Sequence, residues 1–141
     1  REEMSQAMSD GIGIYRTQDG MQAACDRLDA LTERLEHVRL DDTNRAFNTE
    51  WLGAIELGFS LDVARAVAYS ALNRRESRGA HVRLDGYDTR DDDRYLKHTL
   101  ASFTADGAPR IDYEAVNITR LPPEERVYGA AATSAKETAR A

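Results

Sequence analysis

TEWLGAIELGFSLDVARAVAYSALNR, Thr49 to Arg74, decides the fold. These 26 residues contain no proline, and at 1.5 Å of rise each they form a rod of about 39 Å, the longest element of the chain. Trp51, Leu52, Ile55, Leu57, Phe59, Leu61, Val63, Ala64, Val67, Ala68 and Ala71 spread over more than one stripe of this helix. Such a pattern predicts cover on several sides, and so a central helix in a bundle. Just upstream, Asp41 to Asn48 (DDTNRAFN) gathers side chains that bond to local backbone. It reads as a connection ending in an N-cap at Asn48, with Glu50 early in the helix.

Two more helices precede it. Met4, Met8, Ile12 and Tyr15 recur about once per turn and predict an amphipathic helix from Glu2 to Tyr15, weakened by Gly11 and Gly13. Thr17 supplies the hydroxyl of an N-cap for the next. From there Met21, Ala24, Leu28, Leu31, Leu35 and Val38 alternate steps of three and four, a seam for packing at a shallow angle. Asp26, Arg27, Asp29, Glu33, Arg34 and Glu36 form the solvated side. The opening REEMSQAM reads as the middle of a helix, which implies a longer parent chain.

Beyond Arg75 the period is lost. Gly79, Gly86 and the charged run RLDGYDTRDDDR, Arg83 to Arg94, predict an irregular loop. Tyr95 to Phe103 and Arg110 to Thr119 then read as two strands joined by the turn ADGAP, the second alternating Ile111, Tyr113 and Ala115 with Asp112 and Glu114. Pro122 and Pro123 stop the hairpin. The predicted class is therefore mainly α: a three-helix bundle over 1–78, an irregular loop and β-hairpin packed on it in the same domain over 79–128, and a disordered alanine-rich tail over 129–141.

Composition narrows function. The 141 residues are too few for a complete flavoenzyme with a dinucleotide-binding fold. A net charge of −6 and a pI near 5.1 argue against nucleic acid as a partner. No run approaches the roughly 18 apolar residues of a membrane span. Cys25 is alone and reads as a small core residue. His37, His81 and His98 fall in different elements without ligand spacing, and Asp91, Asp92 and Asp93 lack the closing Glu of a calcium loop. Gly11, Gly13 and Gly20 follow no strand and make no phosphate cradle.

One segment concentrates charge. RRESRGAHVRLD, Arg74 to Asp85, follows the long apolar helix directly. Planar guanidinium forks suit carboxylates and carbonyls, so Arg75, Arg78 and Arg83 have natural partners in Glu76, Asp85 and Asp91. With His81 and Arg90 these residues make a candidate structural or docking loop. Two readings stand: an internal network capping the helix, helped by the helix dipole, or a surface for another domain or subunit. Acid–base chemistry by His81 is the sharper alternative, with no nucleophile or cofactor motif beside it.

At this segment the chain resembles a known family. RESRGAHVRLD (75–85), TRDDDRYLKHTLA (89–101) and LPPEERVYG (121–129) are similar to the C-terminal region of fumarate reductase and succinate dehydrogenase flavoprotein subunits. GIGIYRT (11–17), LTERLEHVRLDDT (31–43) and FNTEWLGAIELG (47–58) follow in the same order, and ITRLPPEERVYG leans toward the fumarate reductases. The resemblance implies a spectrin-repeat-like three-helix bundle with an extended appendage. It implies that catalytic residues and covalent FAD lie upstream, so this fragment holds no catalytic, cofactor or metal residue of its own. Partners implied are the FAD-binding domain of the same subunit and an iron–sulfur subunit carrying the clusters, with membrane-anchor subunits met only indirectly. The location implied is peripheral, on the cytoplasmic side of a bacterial inner membrane. The parent reaction would be fumarate reduction by quinol. A succinate dehydrogenase, or a free-standing helical interaction module, is the alternative.

Overall fold

A computed structural model describes residues 1–105 and 107–124. The expected tail lies outside them.

The first helix, α1 (Glu2–Gly11), carries Glu2 and Glu3 in its first turn, where the helix dipole favours acid. It is shorter than its periodicity predicts, ending at Gly11, which packs closely against the next helix. A Cβ placed on Gly11 would lie 2.7 Å from the Cβ of Ala24 and nearer still to the carbonyl of Gly20. The chain then turns into a two-residue strand, β1 (Tyr15–Arg16). The second helix, α2 (Gln18–Leu35), begins at Thr17, whose hydroxyl accepts the N–H of Gly20 at 3.2 Å. Met21, Ala24 and Leu28 are buried and Leu31 and Leu35 pack at their edge, as the seam predicts, and Cys25 is buried beside them. Val38 lies past the helix and is exposed. Asp29 departs from its predicted solvated side. It accepts Arg65 Nε at 2.7 Å and the Tyr69 hydroxyl at 2.6 Å.

The third helix, α3 (Thr49–Asn73), is capped by Asn48, which accepts the N–H of Trp51 at 2.7 Å. Leu61, Ala64, Ala68 and Ala71 are its buried apolar residues, and Arg65 is buried beside them. Here the structure corrects the expectation of a covered, central helix. The main helix contacts are those of α2 with α1 and of α2 with α3, so α2 sits in the middle. On α3, Trp51, Leu52, Ile55, Phe59, Val63 and Val67 remain exposed.

The loop after α3 is less irregular than its sequence implies. Val82–Arg83 forms β2, which pairs in parallel with β1, Tyr15 against Val82 and Arg16 against Arg83. Arg78 and His81 exchange both backbone hydrogen bonds, and Gly79, at φ 59°, takes the first central position of that tight turn. A single helical turn, α4 (Asp92–Tyr95), is capped by Asp91. Then β3 (Lys97–Ser102) and β4 (Arg110–Ala115) form the expected hairpin, in register from Lys97 against Ala115 to Ser102 against Arg110. Both strands are shorter than predicted, and both contact α3. Arg65 ties the hairpin turn down by donating to the Gly107 carbonyl at 2.8 Å. No helix among the described residues is long and apolar enough to cross a membrane.

Candidate functional site

The helix α3 ends at Arg74, and the charged loop is built around that end. The Arg74 carbonyl meets His81 Nε2 at 3.0 Å and accepts Arg83 Nη1 at 3.1 Å, so side chains supply what the broken helix ladder lacks. The Arg74 guanidinium reaches forward to Glu76, the carbonyls of Tyr95 (2.9 Å) and Lys97 (3.0 Å), and the Thr99 hydroxyl (2.9 Å). It lies 5.5 Å from the centre of the Tyr95 ring.

Glu76 and Arg83 are both fully buried. The Glu76 carboxylate accepts from Arg74, from Arg78 Nε and Nη2 (2.8 and 3.0 Å), and from the Asp91 N–H (2.9 Å). Burial pushes this carboxyl up, but the bonds from Arg78, Asp91 and Arg74 outweigh it and hold it below its usual value. Arg83 makes a fork with Asp85, Nε to Oδ1 at 2.8 Å and Nη2 to Oδ2 at 2.7 Å, and also reaches Gln18 Oε1 at 3.2 Å. Its guanidinium sits 5.0 Å from the Tyr87 ring centre. Asp85 accepts the Gln18 N–H at 2.5 Å, and the Arg83 hydrogen bond holds its carboxyl down.

Among the expected site residues, the structure brings Glu76 to Arg78 and Arg83 to Asp85. Asp91 approaches through its backbone, while its side chain caps α4. Arg78 continues to Asp92 at 2.6 Å, and Arg90 joins the same carboxylate at 3.0 Å. Arg75 is exposed and stands outside the network. His81 is buried with both ring nitrogens engaged, Nδ1 by Arg16 Nη1 at 2.7 Å. Sequence reasoning marks Arg74 only as the first residue of the charged segment and Asp92 only within the acidic run, and it does not single out Arg16 or Gln18. Arg74 occupies the C-cap of α3, but its guanidinium reaches forward to Tyr95 and Lys97 and not back to the last carbonyls of the helix, so capping chemistry does not reveal its role. Arg16 and Gln18 enter through the β1–β2 pairing, which has no local signature. No three potential metal ligands cluster among the described residues.

The geometry is that of a tight internal junction at one end of a bundle. A family profile described as "Fumarate reductase flavoprotein C-term" matches residues 1–128. The fumarate reductase flavoprotein subunit of Proteus vulgaris is 55% identical over 95% of this chain and 23% of its own length. That of Serratia sp. is 52% identical over 98% of this chain and again 23% of the relative. A solved structure of a mutant FrdA of the E. coli quinol fumarate reductase is 54% identical, with a TM-score of 0.86, covering 90% of this chain and 22% of that one. The chain thus spans less than a quarter of these relatives. In family terms, the bundle, its clasped loop and its hairpin belong to the fumarate reductase and succinate dehydrogenase flavoproteins, as their C-terminal domain.

Proposed function

We propose that this chain acts as a supporting domain. Bundle, loop and hairpin form one unit that braces the FAD-binding part of a fumarate reductase flavoprotein subunit and takes no direct part in the chemistry. The parent subunit reduces fumarate to succinate, with electrons from quinol arriving through an iron–sulfur partner subunit. The observation that carries this reading is the complete burial of Glu76 and Arg83, whose charges are spent on partners within the chain. A charge in that setting fixes geometry. The exposed Arg75 and the partly exposed Arg78 and Arg90 are the members of the loop that can reach a neighbouring domain or the iron–sulfur subunit.

The test is Arg83→Met in the full-length flavoprotein subunit. The expected result is a lower melting temperature with an unchanged rate of fumarate reduction per bound flavin. A fall in that rate while the protein remains folded overturns the supporting role. Retention of the iron–sulfur subunit by an Arg75→Ala, Arg90→Ala variant, as strong as in the unsubstituted protein, removes the loop from the docking surface.

A further inference from the structure

The loop spends its charge internally, and an unspent apolar surface lies on α3. Trp51, Ile55, Phe59, Val63 and Val67 recur at steps of four. They make an oblique ridge about 24 Å long at 1.5 Å per residue, with Leu52 beside it. Trp51 is 54% exposed, Phe59 67% and Val63 64%. By helical position Glu56 flanks the ridge on one side and Asp62 on the other. An apolar centre with a polar rim is the anatomy of a protein interface, and single exposed apolar residues would not line up in this way. At one end the ridge runs into an open cleft of about 440 Å³ between α3 and β3, where Val63, Val67 and Ala101 share the lining with Arg16, Arg74 and His81 of the charged junction. At the other stands Phe47, fully exposed and held at φ 55°, a left-handed conformation that costs a bulky residue energy.

We infer that this ridge is the seat of the rest of the flavoprotein polypeptide, with Trp51 and Phe59 as its anchors and the α3–β3 cleft receiving a projecting side chain. The inference rests on the supporting role proposed above and assigns it a surface. Three observations favour that occupant. The relatives carry more than three-quarters of their length outside the part this chain matches. An apolar ridge suits a permanent neighbour better than a dissociating one, since obligate interfaces resemble a domain core cut in half. A second copy is disfavoured by charge, each chain carrying −6.

Hydroxyl-radical footprinting of the full-length subunit, with and without the iron–sulfur subunit and across protein concentrations, tests this. Trp51 and Phe59 should be modified about tenfold more slowly in the native subunit alone than in urea, as in a packed interface core. Modification as fast as in urea overturns the inference. So does protection that appears only with the iron–sulfur subunit, or only as concentration rises, because each names a different occupant. Fumarate reduction by the same preparation is measured in parallel. Activity with an unprotected ridge sinks the interface and leaves the supporting role standing, whereas a protected ridge in a subunit that neither binds flavin nor reduces fumarate upholds the interface and sinks the parent reaction.

Discussion

Arg16 Nη1 lies 2.7 Å from His81 Nδ1, joining side chains 65 residues apart. His81 Nε2 faces the Arg74 carbonyl, which can only accept, so Nε2 holds the proton and Nδ1 accepts from Arg16. A second proton would have to sit against a guanidinium. Burial first, and then the charges of Arg16, Arg83 and Arg74, hold the imidazole below its usual 6.5, against the pull of its bond to the Arg74 carbonyl. The unfolded chain therefore takes up this proton before the folded one. The stability that depends on neutral His81 is complete above pH 6.5 and drains away as pH falls through the depressed folded value. Urea unfolding across that window should show a steeper loss for the unsubstituted chain than for His81→Gln. Parallel profiles would refute the assignment.

Glu76→Gln keeps the shape of a fully buried side chain and removes its charge. The new amide N–H₂ must face donors from Arg74, Arg78 or the Asp91 backbone, leaving buried guanidinium charge uncompensated. The expected cost is about 3 kcal/mol, read from urea midpoints, with the exposed Asp93→Asn as a near-neutral control. Equal midpoints for the two variants would show that the loop is not held by this carboxylate. In the unsubstituted protein, acid loss traced to Glu76 should lie below pH 4.5, because its folded value is depressed, and so should separate from the His81 window.

Two glycines should respond to alanine with opposite signs. At Gly11 a methyl group meets α2 within overlap distance, and overpacking of that kind costs about 1–3 kcal/mol. At Gly53, within α3, nothing stands within 4 Å of the new Cβ. Alanine there should add about 0.5–1 kcal/mol by removing backbone freedom from the unfolded chain. Thermal melts of the two variants give the signs directly.

Burial, reinforced by the charges of Asp29 and Asp26, pushes the Cys25 thiol up to about 11 from its usual 9.0. The thiol is also fully covered. Alkylation by iodoacetamide at pH 8 should run roughly a hundredfold slower in the native protein than in urea, since the thiolate is the nucleophile. Comparable rates would mean that α2 opens freely.

Local signals carried much of this fold. Thr17 and Asn48 could be named as caps because a cap is a contact within three residues. The hairpin was visible because Ile111, Tyr113 and Ala115 alternate with acids. By contrast, β1 and β2 have two residues each, too few for any period, and their pairing is invisible without the third dimension. Apolar content on α3 shows that a face seeks cover without showing where that cover comes from, which is why a helix read as central turned out half bare. The charged loop was marked by composition, but the depth of Glu76 and Arg83 ran against the usual exposure of their residue types.

The β1–β2 ladder also bears on the order of assembly. Its flanking bond, from the Gln18 N–H to Asp85, closes a loop of 67 residues. Closing so long a loop before the helices pack would cost entropy with few contacts in return, so the ladder and the arginines around it are expected to form late, with Arg83→Met raising the unfolding rate more than it slows folding. Once formed, they fasten the entry of α2 to the exit of α3, and fraying at either place has to break the same clasp.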